Sequence, residues 1–264
     1  MLWLFLLSLA VGAAVGYRLV TRKPKAKYFL HLEYWVYLSS ETMPPQDEVM
    51  TRLVRPEVGR SAITGAEAAL FSDVRLHIAL ILRRKNGCLF RPDLLAPYVD
   101  ATPDQLEILQ SAQSLVRVRY ISEEKVSDTR YLKFLPQVAR AYAEMGDSKL
   151  IYDPVGERLL DPQELKGGDS GPTLRWVAEA TGGHVETLDL KKRGLSEIKT
   201  AWVAADERWI VGEVMDQVAR EAWSQGELPQ VAMAQAFEDC FQVTLEADRQ
   251  GTTTARIHRI QETA

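Results

Sequence analysis

The chain has 264 residues, with 32 Lys and Arg against 36 Asp and Glu, a formal charge of −4 at neutral pH and 46% hydrophobic residues. Five of the basic residues crowd positions 18 to 27, where no acid stands, so the remainder from Tyr28 onward has 27 against 36 and carries about −9. An acidic body of this kind argues against a nucleic-acid partner, and the two distant cysteines, Cys88 and Cys240, give no metal framework and fit a reducing compartment.

The first element is a membrane segment. Residues 2 to 17, LWLFLLSLAVGAAVGY, carry no charge, and at about 1.5 Å per residue they span roughly 25 Å, the short end of what a bilayer core accepts. A transmembrane helix is expected over 1–20, with Trp3 and Tyr17 at its interfaces and the Arg18 side chain reaching back to the headgroups. A cleaved signal peptide is the competing reading, since Ala10, Gly12, Ala13 and Ala14 offer small residues. The charges oppose it: Arg18, Arg22, Lys23, Lys25 and Lys27 follow the apolar run instead of preceding it. Basic flanks stay inside, so the expectation is a single-pass inner-membrane protein of a bacterium, N-terminus outside, residues 21–27 a basic juxtamembrane linker at the lipid surface and the body in the cytoplasm. Ser8, Gly12 and Gly16 recur every fourth residue and share one helix face. That face would let a second copy pack closely as a homodimer, although small residues are common in membrane helices in any case.

Residues 28–38, rich in aromatic and branched side chains, are predicted as a strand, and Pro44-Pro45 open a helix running to Arg55. Val74, Leu76, Ile78, Leu80 and Leu82 alternate with polar residues along a second strand over 73–83. Asn86-Gly87 predicts a hairpin that returns Cys88 to Phe90 beside it. A short helix follows over 92–99, and Thr102-Pro103-Asp104-Gln105 begins another with a capping box. Residues 115–121 form a strand with Val116, Val118 and Tyr120 on one face. Helical spacing over 129–145 is expected to split at Pro136 and to end at Gly146, before a short strand over 149–152. KGGDSGP, 166–172, has the composition of a flexible surface connection between two parts, 28–165 and 173–264. A helix is predicted over 173–180, stopped by Gly182-Gly183, then strands over 184–190 and 198–204. An amphipathic helix over 206–225 follows, closed by Gly226, and then an antiparallel pair, 240–247 with 253–260. Strands interleaved with helices and hairpin signals, without a regular βαβ rhythm, give an α+β fold with mixed, mainly antiparallel sheets and packed helices.

No constellation of residues spells out a reaction. Gly168-Asp169-Ser170-Gly171-Pro172 resembles the nucleophile sequence of chymotrypsin-like serine proteases over five residues, but no histidine motif accompanies it and a surface loop is the expected fate. Cys88 with His77 makes a poor thiol and base, having no third group, and His184 and His258 stand in separate strands without a ligand cluster. No catalytic residue, metal site or cofactor is therefore expected. Arg117 and Arg119 alternate on one strand and Arg75 with His77 on another, so a basic stripe able to take an anion or acidic partner would form if those strands are neighbours; a solvated or salt-bridged sheet face is the plainer alternative.

From 116 to 165 the order VRVRYIS, a Leu/Ala-rich helix, LIYDP and LLDPQEL is similar to uncharacterised bacterial α+β proteins known as domains of unknown function, and Arg193-Gly194-Leu195 fits the same pattern. The resemblance implies an α+β fold and carries no active site. The expected function is a membrane-anchored cytosolic interaction module with a protein partner. An anchored hydrolase or transferase with a dispersed site, or an immunity-type binding protein, are the alternatives, to be separated by whether His77, Arg117 and Arg119, or Asp153 and His184, converge on a deep pocket.

Overall fold

A computed structural model of the chain describes residues 29–55, 62–247 and 252–260. The expected membrane helix with Ser8, Gly12 and Gly16, the basic residues Arg18, Arg22, Lys23, Lys25 and Lys27, and the 248–251 connection lie outside the described residues. Among the described residues no helix is long and apolar enough to cross a membrane.

Along the first strand, β1 (Leu30–Leu38), the side chains of Leu30, Leu32, Tyr34, Val36 and Leu38 all fall on one face, and each is at most 1% exposed. Val116, Val118 and Tyr120 do the same on β3 (Ser114–Ser122), which pairs antiparallel with β1 along its whole length. β2 (Leu76–Leu82) pairs with the far side of β3, while β4 (Ile151–Asp153) and β5 (Arg158–Leu160) continue from β1, giving an antiparallel five-stranded sheet in the order β2-β3-β1-β4-β5. Two helices, α1 (Gln46–Val54) and the long helix Tyr131–Met145, cover the apolar face. The other face is covered at one end by Phe90, Leu95, Val99 and Leu109, which pack on Tyr37 and Leu115.

Three local expectations fail here. Asn86-Gly87 does not turn a hairpin: Asn86 keeps φ at −139°, Gly87–Phe90 coils into a 3-10 turn, and β2 takes β3 as its partner. Cys88 is consequently exposed in a turn and not beside His77. Pro136 does not split the helix Tyr131–Met145. A proline removes the N–H that would bond the carbonyl four residues back, and that carbonyl, Leu132 O, instead accepts the backbone N–H of Asp169. The helix continues because the orphaned acceptor has a partner from outside. Thr173–Ala178 is the third case, a strand and not a helix.

That strand, β6, pairs antiparallel with β7 (Gly182–Leu188) at one edge of a second, mixed sheet of order β10-β11-β12-β8-β7-β6, in which β9 (Val203–Ala204) also pairs with β7. β8 (Ile198–Thr200) runs parallel to β12 (Thr253–Ile260), and the other pairings are antiparallel. β10 (Val231–Ala236), which the sequence reading did not single out, forms a six-residue register with β11 (Asp239–Ala247). Helix Arg208–Gln225 lays Val211, Val214, Met215, Val218 and Ala222 onto this sheet and ends at Gly226, whose φ of 73° only glycine adopts freely. Each sheet has its own apolar core. The expected α+β class with mixed and antiparallel sheets is what the described residues form.

Candidate functional site

The densest group of ionisable side chains lies between the two sheets and is built on the 3-10 turn Leu190–Arg193. Two residues with left-handed backbone bracket this turn, Asp189 at φ 81° and Gly194 at φ 75°. The reversal sends Leu190 into the core of the second sheet and Lys192 into the flank of the first, where the Tyr131 hydroxyl donates to the Lys192 carbonyl. Left-handed backbone is costly for a side chain with a Cβ, although aspartate is among the residues that tolerate it best.

The Lys192 side chain is 0% exposed. Its Nζ donates to Asp153 Oδ2 at 2.5 Å and Asp169 Oδ2 at 2.7 Å and stands 2.7 Å from Asp189 Oδ1. Those carboxylates come from three segments: the end of β4, the 168–171 loop and the end of β7. Asp153 Oδ1 accepts the backbone N–H groups of Val155 and Gly156, and Asp169 Oδ1 that of Gly171. The Tyr34 hydroxyl donates to Asp169 Oδ2 at 2.5 Å, and Thr173 donates to Asp189 Oδ2 at 3.3 Å. Arg158, on β5, lies 3.2 Å from Asp153, 3.7 Å from Asp169 and 3.4 Å from Asp189, and its outer nitrogen donates to Ser170 Oγ at 2.8 Å. A Cβ on Gly156 would come within 2.6 Å of Asp189 Oδ1, so glycine there admits the carboxylates.

Charge in so dry a place must be balanced locally. Burial acts to lower the Lys192 ammonium, but the three carboxylates outweigh it and hold the group above the ordinary lysine range. Burial likewise acts to raise Asp169, and the Lys192 charge and hydrogen bond, with Tyr34 and Arg158, outweigh it and keep the carboxyl below its usual range. Asp189 goes the other way: burial and the neighbouring Asp153 carboxylate push it up to about 6 against the pull of Lys192. Its Oδ1 has no aligned donor among the described residues, which fits the upward push. Tyr34, raised by burial and by Asp169, stays a protonated donor. With three acids and two bases the group bears one excess negative charge, and a proton on Asp189 cancels it.

Chemically this is a closed array. An ammonium sits where three carboxylates converge, the place a cation would otherwise fill, and it donates to Asp153 and Asp169 while standing beside Asp189. It joins five segments of chain. Nothing in the spacing of Tyr34, Asp153, Arg158, Asp169, Asp189 and Lys192 marks them as a set. The one available hint was the GGDSG string, whose composition reads as a solvated loop although Asp169 is buried at its centre. Ser170 itself is exposed and accepts from Arg158.

The basic stripe is placed differently. β2 and β3 are neighbours, so His77 stands opposite Arg119, and Arg119 opposite Glu33 on β1; the next row runs Ala79, Arg117, Trp35, Tyr152. Glu33, 5% exposed, binds His31 at 2.7 Å and the Trp35 indole N–H, and it falls below the ordinary carboxylate range because those partners and Arg119 together outweigh its burial. Arg75 is held by a two-pronged bond to Asp73, at 2.8 and 2.7 Å, and that carboxyl drops to about 2 mainly through it. Arg75, His77 and Arg119 line one open groove together with Glu123, Glu124 and Lys125, so its sign is mixed. Asp153 and His184 do not meet: Asp153 belongs to the lysine cluster, while His184 lies on β7, 3.6 Å from Glu179 and 4.0 Å from Glu186. Among the described residues no group of histidine, cysteine and carboxylate side chains is arranged to hold a metal ion. No family model, curated protein or solved structure matches this chain.

Proposed function

We propose that this chain is a single-pass, membrane-anchored module whose α+β body, on the cytosolic side, binds a protein partner. The observation that carries the reading is the sealing of the densest acid–base cluster: the side chains of Lys192, Asp153, Asp169 and Asp189 are at most 1% exposed and are closed in by one another, by the backbone and by Tyr34, Thr173 and Arg158. Such an array stiffens the junction of two sheets and offers no atom to a substrate. The surface, by contrast, presents large apolar side chains around the second sheet, Trp202, Val231, Met233 and Phe237 among them, and residues of this kind are enriched where proteins meet. The basic flank Arg18 to Lys27 supports the orientation, and the Ser8, Gly12 and Gly16 face supports pairing of two copies within the bilayer.

Two measurements test this. A reporter fused after Ala264 should be active when it requires the cytoplasm and silent when it requires the periplasm; the reverse result ends the topology. Photo-crosslinkers on the exposed face of β10 and β11, introduced in intact membranes, should trap one recurrent protein adduct. Diffuse adducts without a dominant species would remove the binding assignment.

A further inference from the structure

The second sheet contains an unfinished strand position. β12 is paired with β11 through Ile260, but on its other side β8 accompanies it only over Thr253–Ala255. After Thr200 the chain leaves β12, bulges at Ala201-Trp202 and re-forms as β9 against β7. No described strand pairs with this side of Arg256–Ile260, so the N–H and C=O groups that alternate residues of this stretch turn away from β11 face a slot. A groove of about 380 Å³ occupies the slot, floored by Ile210 and Val211 of helix Arg208–Gln225 and walled by Trp202, Phe241 and Ile257.

Proteins usually cover such edges because an unpaired ladder recruits other chains. On the β10 edge one residue is plugged in this way: the Gln217 side chain donates to the Gln235 carbonyl at 2.5 Å and accepts the Gln235 N–H at 3.0 Å. The β12 slot has no such plug among the described residues, and Trp202 stands 56% exposed at its mouth.

We infer that the open half of β12 accepts an extended segment of a partner protein as an added strand. The inference rests on the binding reading above and names the surface and the partner's chemistry. Pleating dictates the pattern of the incoming segment. Residues on its inner side meet Ile257, Ile210, Val211 and Trp202, so they are apolar; Arg259, on the same face and held by Asp239, and Glu207 complete the lining. Residues on its outer side lie in line with Lys199 and beside Arg256 and His258, so they are acidic, as cross-strand pairing of opposite charge favours. Glu246 bridges Arg256 at 2.9 Å from the β11 side, away from the slot, leaving the arginine 61% exposed and positioned to engage a second carboxylate. The occupant is therefore a segment of about five residues alternating apolar and acidic.

The full chain in lipid nanodiscs, challenged with a phage-displayed pool of random nine-residue peptides, tests this. Expected are enriched peptides alternating apolar with Asp or Glu, slowed amide exchange over 256–260 when a synthetic copy binds, and at least tenfold weaker binding when alternate peptide amides are N-methylated. Trp202→Ala and, separately, His258→Glu should each weaken binding at least tenfold; both sites are at the surface, and unchanged melting of either variant shows that it is folded. The inference is overturned if no peptide enriches over an empty-nanodisc control, if enriched peptides are basic or helical, or if exchange slows elsewhere. Should membrane crosslinking trap a partner while the β12 slot binds no peptide, the binding reading survives and only this assignment of surface falls.

Discussion

Lys192 is where a single side chain has the largest consequences. Removing its charge by Lys192→Met leaves three carboxylates in a site that water does not reach, with Arg158 as the nearest compensation, and breaking a buried pair in this way costs about 3–5 kcal/mol. The loss should be seen as an early transition in urea unfolding. The companion variant Lys192→Met/Asp169→Asn/Asp189→Asn removes two of the stranded charges while keeping their shapes, and it should recover more than half of the loss. If the triple variant is no more stable than the single one, the cluster is held by geometry and not by charge balance. Gly156→Ala probes the same site from the backbone side: its new methyl would press on Asp189 and Asp153, for a cost of about 1–3 kcal/mol.

At the level of elements, legibility in the sequence followed local chemistry. The capping box at Thr102, with its side chain accepting from Gln105 N and Gln105 answering at Thr102 N, is present as the four letters imply. So are the aromatic and branched strand β1, the one-sided apolar face of β3 and the glycine stop of helix Arg208–Gln225. The failures all have tertiary causes. Gly182-Gly183 reads as a helix stop because glycine breaks helices, yet in β7 it makes room for two indoles: a Cβ on Gly183 would meet the Trp176 ring at 2.8 Å and the Val177 carbonyl at 2.2 Å, and one on Gly182 would meet Trp202 at 2.6 Å. Two tryptophans lying over two strand glycines leave no periodic signature. Pro136 is similar, since its consequence is met by Asp169, a residue 33 positions away whose N–H is supplied from another loop. Gly183→Ala should therefore displace Trp176, shift its fluorescence and lower stability by about 1–3 kcal/mol; an unchanged emission spectrum would mean the ring does not rest on the glycine. The lysine cluster was illegible for the same reason as these two, because its members are brought together by the docking of the two sheets and by no spacing along the chain.

For the whole molecule, the junction between the sheets sets how stability depends on pH. Asp189, raised to about 6, and Glu197, raised to about 7 chiefly by burial, both bind protons more tightly folded than unfolded. Between their ordinary range near 4 and those values the folded state holds the extra protons, so stability falls as pH rises through that window. Asp169 and Asp73 are depressed, so their contribution is present above the ordinary carboxylate range and disappears as the pH falls through their folded values. The melting temperature should accordingly peak near pH 5, decline toward pH 8 and decline again below about pH 4. Asp189→Asn and Glu197→Gln each remove one proton site from the alkaline limb; asparagine tolerates the left-handed backbone at 189, and glutamine at 197 retains an acceptor for the Lys191 N–H. Each variant should flatten the limb between pH 5 and 8, by about 3 °C at pH 8, and leave the acid limb in place. The two sites also feel each other, since the Asp189 carboxylate is among the charges that raise Glu197. Neutralising Asp189 lets Glu197 ionise more easily, so the double variant should gain less at pH 8 than the two single gains together. A wild-type melting temperature that stays flat from pH 5 to 8 would contradict the account, as would gains that add in full.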